Sequence, residues 1–364
     1  MNYDVVVVGG GPAGSSSAFH LSQKGLKVLL LEKNKLPRFK LCAGCLSKRV
    51  EKYLPKGWER LVLNRVSSGI LGYIGKECVE TPFNETVAYI VDRAQFDAFF
   101  VKRAQENGVQ LVEEAEFLSF EKSCGKYKVF TSKGVFFADF IVGADGFYSK
   151  VSEALGLKKS KFFKAIEFFT PGELKDKVII DIGLVEKGYA WIFPKGDVLS
   201  VGLASTGREN LLNLLKVYTE RRSLISNGKV YGWHIPYAES ERDVYYGSER
   251  VLLVGDAANL ADPLLGEGIY YAVLSGLLLS EAIEKEPSKA IRLYKNLLKG
   301  VVSELVYAGK IAKIAYRFQR IAYRMGKGGF LKSYYRILKG EKGYKDVYVK
   351  GWFYFLKEFI KENL

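Results

Sequence analysis

The sequence predicts a mixed α/β fold in which a parallel sheet is interrupted by a second, antiparallel sheet and followed by a helical C-terminal segment. Three observations support this prediction. Residues 3–9, YDVVVVG, form a continuous apolar run typical of a buried parallel strand, and a glycine-rich turn and a helix pattern follow it. Residues 162–204 are rich in strand patterns, and the pattern becomes helical after Gly266.

The composition is that of a globular protein, but its charge is uneven. The 364 residues are 48% hydrophobic and 26% charged, with a net charge of +15. Residues 301–364 contain 14 Lys or Arg and 5 Asp or Glu, a net of +9, together with 14 aromatic residues. This combination is typical of peripheral contact with an anionic membrane, or of helices with a solvated basic face and a packed aromatic face. Without a recognised nucleic-acid-binding module, we expect no nucleic acid partner.

The chain carries no sign of secretion or of a bilayer-spanning segment. It opens with a strand, and no run of 18 apolar residues occurs. Its four cysteines, Cys42, Cys45, Cys78 and Cys124, are too few for a disulfide scaffold. A single CxxC pair also lacks the further ligands of a zinc site, so we expect no metal. These features predict a cytoplasmic protein, with peripheral membrane contact as the open alternative.

The first glycine-rich turn predicts a Rossmann-like dinucleotide site. Gly9, Gly11 and Gly14 form GxGxxG between a strand and a helix, where they allow a tight turn, close approach of a pyrophosphate and helix–strand packing. Glu32 closes the second strand, 18 residues after Gly14, where an acid can bind a ribose hydroxyl. The residues expected to contact the cofactor here are Gly9, Gly11, Pro12, Ala13, Gly14, Glu32 and Lys33.

A second glycine-rich turn favours the long cofactor FAD over NAD. A buried strand ends at Asp256, which is placed to bind a ribityl hydroxyl. Pro263, Gly266 and Gly268 follow, and a helix begins at Ile269, so backbone N–H groups face the N1–C2 region where charge accumulates on flavin reduction. Two further pieces agree: Arg93 and Asp97, which also have the spacing of an ordinary helix salt bridge, and a strand ending at Asp145–Gly146.

These pieces in this order resemble the FAD-dependent monooxygenase-like superfamily, and within it the geranylgeranyl reductases. The second resemblance rests on PRFKLCAGCLS (residues 37–47), YAWIFPKG (189–196) and GDAANLADPLLGEGI (255–269). Asn259 and Ala43 depart from the family pattern, which has glycine at both positions. The resemblance implies that Arg93 lies beside the flavin, that Asp145 and Gly146 lie near the pyrophosphate, and that Cys42 and Ala43 lie near the isoalloxazine.

The resemblance also implies an activity. It predicts an oxidoreductase acting on CH–CH groups, which saturates C=C bonds of a polyprenyl chain in a membrane lipid, a prenyl quinone or a prenyl diphosphate. No second glycine motif follows a strand, so we expect NAD(P)H or a ferredoxin as a docking electron donor. The rival functions are an aromatic monooxygenase or halogenase, and a flavin- or lipid-binding protein without turnover.

The YAWIFP strand is the predicted wall of the substrate pocket. Side chains alternate along a strand, so Tyr189, Trp191 and Phe193 share one face, either as a lipid-binding wall or as plain core. The predicted substrate residues are Tyr189, Trp191, Phe193, Pro194 and His234, and the predicted catalytic residues are Cys42, Tyr189 and Trp191. Cys42 could form a redox pair with Cys45, donate a proton or shape the pocket, and the sequence leaves all three roles open. Arg38 and Lys40 suit either the phosphates of the cofactor or those of a lipid.

The predicted organisation has three parts. An FAD-binding domain comprises residues 1–65, 92–155 and 240–300. A substrate-binding sheet domain comprises residues 66–91 and 156–239, and residues 301–364 form the basic, aromatic helical segment.

Overall fold

The structure is a computed structural model that describes residues 2–123, 125–158, 161–225, 228–327 and 331–363, so Cys124 lies outside the described residues. The strands are β1 (Asn2–Val8), β2 (Val28–Leu31), β3 (Cys45–Ser47), β4 (Val62–Val66), β5 (Ser68–Tyr73), β6 (Glu77–Pro82), β7 (Ala88–Val91), β8 (Gln110–Val112), β9 (Phe117–Ser123), β10 (Lys126–Thr131), β11 (Gly134–Gly143), β12 (Phe162–Pro171), β13 (Lys177–Ile182), β14 (Gly188–Lys195), β15 (Val198–Ser205), β16 (Tyr231–Pro236), β17 (Gly247–Ser248) and β18 (Val251–Leu253). The helices are α1 (Pro12–Gln23), α2 (Arg93–Glu106), α3 (Lys150–Ala154), α4 (Leu211–Arg221), α5 (Ile269–Lys285), α6 (Ala290–Arg317), α7 (Gln319–Met325), α8 (Leu331–Leu338) and α9 (Tyr344–Asn363).

The first sheet has the order β17-β18-β11-β1-β2-β8, and its five strands from β18 to β8 run parallel. Strands β9 and β10 extend it as an antiparallel pair beside β11. The buried side chains of its central strands are apolar because α1 and other elements cover them, as in a buried parallel sheet. Since β1, β2, β11 and β18 end at the same edge, the turns after them meet there.

The second sheet has seven strands in the order β16-β12-β15-β14-β13-β5-β6. Its neighbours are antiparallel except for β13 and β5, which are parallel. One face packs against α4 through a core that includes Phe168, Ile192 and Leu215. The other face is turned toward the cavity described below. A small third sheet, β3-β7-β4, is hydrogen-bonded separately and contacts this one at β14.

The C-terminal helices are part of the same folded body. Helix α6 packs against α5 and α9, and α7 packs against β5. Helix α8 approaches β5 so closely that a Cβ on Gly69 would lie 1.6 Å from the hydroxyl oxygen of Tyr335. Across the described residues, no helix is both long enough and apolar enough to span a membrane.

The observed architecture confirms the predicted fold class: a parallel sheet with a glycine-rich first turn, an interrupting and largely antiparallel sheet, and a helical C-terminal part. The proposed boundaries between the three parts stay a prediction. One detail differs from the simplest expectation, because β7 pairs with β3 and β4 rather than with the seven-stranded sheet.

Candidate active site

A single elongated cavity of about 920 Å³ connects the three parts of the fold. It begins at the carboxyl edge of the parallel sheet, follows one face of the seven-stranded sheet and continues against the C-terminal helices. The predicted site residues that line it are Gly9, Gly11, Pro12, Ala13, Glu32, Lys33, Cys42, Ala43, Arg93, Asp145, Gly146, Tyr189, Trp191, Phe193, His234, Asp256, Gly266, Gly268 and Ile269. Gly14, Pro194 and Pro263 are the predicted residues that do not line it.

The glycines of the first turn differ in their surroundings. A Cβ on Gly14 would lie 1.8 Å from the carbonyl oxygen of Gly9, so this position packs the helix against the strand. Gly9 has a φ of 106°, which favours glycine. Beside Gly11 the space is open, because the nearest group to a Cβ placed there would be the Arg38 guanidinium, at 3.8 Å. The turn therefore leaves room for a phosphate at Gly11, at the N-terminus of α1.

Two arginines share one buried carboxylate near this turn. Arg93 binds Asp97 through two hydrogen bonds of 2.9 and 3.0 Å, so the helix salt bridge is bidentate and buried. Arg38 donates to the same carboxylate at 3.1 Å and lies 3.4 Å from Glu32. Glu32 itself accepts from the backbone N–H of Gly10 at 2.9 Å. This network holds both cations at the cavity, with Arg38 on the side of the glycine turn.

The other turns at the sheet edge are shaped by local hydrogen bonds. Asp145 follows β11 and accepts from Ser149 at 2.5 Å and from the N–H of Val151 at 3.2 Å. Burial raises the pKa of Asp145, and these hydrogen bonds oppose that rise. Asp256 follows β18, and a Cβ on Gly268 would lie 3.5 Å from its carboxylate oxygen. Asp256 thus lies next to the N-terminus of α5.

A buried polar network fixes the loop between Asp256 and α5. Glu267 accepts from Arg49 and Ser47, and the Arg49 guanidinium lies 3.9 Å from the ring centre of Tyr270. Asp262 accepts from the N–H of Leu264 at 2.5 Å and from the hydroxyl of Tyr344 at 3.0 Å. Burial raises the pKa of Asp262 to about 6. The loop conformation therefore depends on residues of α9 as well as its own.

Lys40 lines the cavity beside strand β16. Its ammonium lies 3.5 Å from the ring centre of Trp233, on β16. Burial lowers the pKa of Lys40 to about 8, and the positive charge of Arg93 acts in the same direction. Arg38 and Lys40, which the sequence could not tell apart, thus lie in different surroundings.

The two cysteines of the CxxC pair are both free thiols at the cavity. Cys42 Sγ accepts from the N–H of Gly44 at 3.3 Å, and the Cys42 carbonyl accepts from Lys195 at 3.1 Å. Burial raises the pKa of the Cys45 thiol to about 12, with further contributions from Glu267 and Cys42. Cys45 is therefore a neutral thiol at physiological pH.

Strand β14 forms one wall of the cavity. Tyr189, Trp191 and Phe193 line the cavity, and Ile192 on the opposite face joins the core beneath the sheet. The Tyr189 hydroxyl donates to the carbonyl of Leu265 at 2.5 Å, which connects this wall to the second glycine-rich turn. Pro194 does not line the cavity, because strand alternation places it on the face of Ile192.

The two other predicted residues occupy distinct places. His234 lines the cavity, where its Nδ1 lies 2.7 Å from the Tyr148 hydroxyl and its ring stacks on Phe147 at 5.0 Å. Pro263 is buried outside the lining, and a Cβ on Gly309 would lie 3.6 Å from its side chain. Its position shapes the turn rather than the cavity surface.

Sequence reasoning missed a large apolar section of the cavity. The helices α6 to α9 supply Ile311, Ile314, Tyr316, Phe318, Ala322, Met325, Leu331, Tyr334, Tyr335, Ile337, Leu338, Tyr344, Val347, Tyr348 and Phe355. The signal was the aromatic density of residues 301–364, which the sequence alone could not assign to a cavity, a core or a membrane. Glu167 on β12 was also missed, although a carboxylate within the apolar run KAIEFF was visible.

The residues present fit FAD. Helices α1 and α5 both begin at glycines without a capping side chain, Gly11 and Gly268, and both glycines line the cavity. Their N-termini offer backbone donors and partial positive charge to phosphates and to the flavin. Glu32 lies at the end of β2, where a ribose is bound in this type of fold. The apolar section beyond β14 leaves space for a second ligand.

Comparisons with known proteins agree with this site. Residues 2–171 match the FAD binding domain family. A digeranylgeranylglycerophospholipid reductase of Methanocaldococcus jannaschii is 30% identical over 321 residues, which cover 80% of this chain and 78% of that protein. The solved structure of a geranylgeranyl bacteriochlorophyll reductase-like protein from Thermoplasma acidophilum has a TM-score of 0.78 at 23% identity, over 87% of this chain and 88% of that chain.

The fold is also shared with enzymes of other chemistry. A flavin-dependent brominase has a TM-score of 0.75 at 17% identity, over 100% of both chains. This likeness concerns the fold alone, whereas the archaeal reductase is related in sequence over most of both chains. The protein therefore belongs to the geranylgeranyl reductase family of FAD-dependent oxidoreductases, and FAD is confirmed as its cofactor.

Proposed function

We propose that the protein saturates isolated C=C bonds of a polyprenyl chain. The observation that carries the proposal is the continuity of the cavity from the two glycine-rich turns, past Tyr189 and Trp191, into an apolar section under the C-terminal helices. A long isoprenoid needs such a channel, and each buried CH₂ contributes about 0.8 kcal/mol to binding. The aromatic wall supplies this area from side chains with few rotamers to lose.

Reduced FAD, when bound, supplies the hydride for one alkene carbon. The chain's own residues align the reacting groups and exclude water. Tyr189 and Trp191 form the wall against which an alkene lies, and the bond from Tyr189 to Leu265 fixes this wall to the flavin-side loop. Cys42 lies at the same end of the cavity, with its backbone held by Lys195.

The substrate class is a membrane lipid, a prenyl quinone or a prenyl diphosphate. Lys40, which lies on the ring of Trp233 and close to the flavin-side residues Arg93 and Asp256, is a cation that suits a phosphate-bearing head group. For the electron donor we propose NAD(P)H or a ferredoxin that docks transiently. The excess of basic residues in the chain favours an acidic carrier.

We also propose that a cytoplasmic protein touches the membrane surface through its C-terminal helices. Helix α9 exposes Val349 and Tyr354, two large apolar side chains, near the exposed bases Lys345 and Lys350. This pairing of apolar and basic groups is typical of interfacial helices. A protein placed there takes its substrate directly from the bilayer.

The test of the function is anaerobic. The purified holoenzyme is reduced with dithionite, mixed with a geranylgeranyl phospholipid and a prenyl quinone, and the products are read by mass spectrometry. We expect a gain of two hydrogens per reduced double bond in the prenyl tail of one of these lipids, read from tail fragments because dithionite also adds two hydrogens to a quinone ring. An unchanged mass for both lipids, together with consumption of NADPH and O₂ on aromatic substrates, would establish the monooxygenase alternative instead.

A further inference from the structure

A buried carboxyl group lies on the cavity-facing side of the seven-stranded sheet. Glu167 of β12 is 3% exposed and lines the cavity. Glu167 is the cross-strand partner of Gly202 on β15, and Gly202 is also the partner of Trp191 on β14. Glu167 and Trp191 therefore lie on the same face of the sheet. Of the cavity-lining residues that this sheet contributes within the described ranges, Glu167 is the sole carboxylate.

A short chain of hydrogen bonds fixes this carboxyl group. The indole N–H of Trp191 donates to Ser200 Oγ at 3.1 Å, and the Ser200 hydroxyl donates to Glu167 at 2.5 Å. Because the indole N–H can only donate, the Ser200 hydroxyl accepts from it and donates its own proton toward Glu167. Gly202 makes room for it, since a Cβ there would lie 2.2 Å from Cζ2 of Trp191.

The same wall reaches the flavin side of the cavity. The rings of Trp191 and Tyr189 are 5.8 Å apart, and the Tyr189 hydroxyl donates to Leu265 beside the second glycine-rich turn. Glu167 therefore lies on the same cavity wall as Trp191 and Tyr189, and this wall is joined to the flavin-side loop.

Within the described ranges, Glu167 has no cation in direct contact with its carboxyl group. It takes part in no salt bridge among the described residues, and the nearby Lys195 instead donates to the Cys42 carbonyl at 3.1 Å. Burial raises the pKa of Glu167 to about 7, while Ser200 and the charge of Lys195 oppose the rise. A substantial fraction of the group is therefore protonated at neutral pH, as a general acid requires.

We propose that Glu167 is the acid that supplies the proton for alkene reduction, an inference that rests on the function proposed above. One alkene carbon takes the hydride from reduced FAD, which is oxidised to FAD. The other carbon takes the proton of the Glu167 carboxyl group. The π bond of the alkene, the N–H bond of reduced FAD that carries the hydride and the O–H bond of Glu167 break, and two C–H bonds form. Glu167 is left as a carboxylate that regains a proton from solvent.

The pH dependence of the reaction gives the first test. Only the protonated form donates, so the rate is highest below about pH 7 and falls as pH rises through the pKa of Glu167. Glu167→Gln keeps the shape of the side chain but removes the acidic proton. We expect kcat to fall on the order of 100-fold and to lose the decline with rising pH that Glu167 causes. Ser200→Ala removes a donor that stabilises the carboxylate, so this decline shifts to higher pH.

Other titratable groups near Glu167 must be told apart from it. Lys195 faces it from β14, and Tyr231 lies opposite it on β16. Lys40, which lies on the ring of Trp233, has a pKa of about 8. Any pH dependence of the rate that Lys40 causes therefore persists in Glu167→Gln. Glu80→Gln is the matched control, because Glu80 belongs to the same sheet but is exposed and outside the cavity lining.

A second readout does not depend on turnover. Infrared difference spectra of the holoenzyme between pH 5 and pH 9 are expected to show a carboxylic C=O band that titrates near pH 7 and is absent in Glu167→Gln. If Glu167→Gln has normal FAD content and keeps the wild-type rate and pH profile, the proposed role of Glu167 is overturned, whereas the proposed function is not affected. Failure of the wild-type enzyme to saturate any polyprenyl lipid at any pH would overturn this role together with the proposed function.

Discussion

Lys40 lies where the flavin side of the cavity meets the substrate side, and its charge is the property to test. Because its pKa is lowered to about 8, it is charged at pH 7 and mostly neutral at pH 9. We predict that the Kd of a prenyl diphosphate, followed by flavin fluorescence, rises roughly tenfold between these pH values, the size of one charged hydrogen bond. Lys40→Arg stays charged and loses this dependence. A Kd that is constant from pH 7 to pH 9 in the wild-type protein would contradict the account.

The two thiols of the CxxC pair are predicted to differ from an exposed cysteine. At pH 8 a thiol with a pKa of about 12 is ionised in about one molecule in ten thousand, so Cys45 resists alkylation. We expect iodoacetamide to label the exposed Cys78 first and Cys45 only after unfolding, as read by peptide mass spectrometry. Rapid labelling of Cys45 would show that its thiol is accessible and ionised, contrary to the prediction. A Cys42–Cys45 disulfide after mild oxidation would show that the pair is redox-active.

At the scale of the element, the two faces of β14 carry different functions. Phe193 lines the cavity, and the neighbouring Ile192 is packed in the core under the sheet. Phe193→Ala is expected to raise the KM for a polyprenyl substrate about tenfold, since it removes apolar contact area from the wall. Ile192→Ala is expected to lower the free energy of unfolding by about 2–5 kcal/mol and to leave KM unchanged. Equal effects of both variants on KM would mean that the wall is ordinary core.

Period-two alternation accounts for where the side chains of this strand lie. The pattern put Tyr189, Trp191 and Phe193 on one face, and all three line the cavity. The same alternation places Pro194 on the other face, outside the cavity lining, although it was predicted as a substrate residue. The turns after β1, β2, β11 and β18 were likewise predictable, because the carboxyl ends of parallel strands share one edge.

The contacts that sequence reasoning could not find are those between distant segments. Glu167 becomes part of the cavity through its pairing with β15 and the hydrogen bond to Ser200, 33 residues away. Tyr335 reaches the cavity by packing onto Gly69 of β5, a contact that no local pattern encodes. Local periodicity specifies which face of an element is apolar, but not which element covers it.

At the scale of the whole molecule, the C-terminal helices both close the cavity and present a basic surface. We predict that replacing Lys332, Lys345 and Lys350 with Gln weakens binding to anionic phosphatidylglycerol vesicles, measured by sedimentation, on the order of 100-fold, at about 1 kcal/mol per lost charge. The matched control replaces Lys102, Lys133 and Lys216, which are exposed on other elements. Equal sedimentation of both variants would refute a membrane-facing role for these helices.

The most direct test of the central claim is the absorbance of the bound flavin without oxygen. The holoenzyme is reduced with a stoichiometric amount of dithionite, and a geranylgeranyl lipid is then added under argon. The account predicts that the oxidised flavin spectrum returns, with one flavin reoxidised for each double bond saturated. A flavin that stays reduced with every polyprenyl lipid, and reoxidises only when O₂ is admitted, would contradict the assignment of this cavity to polyprenyl reduction.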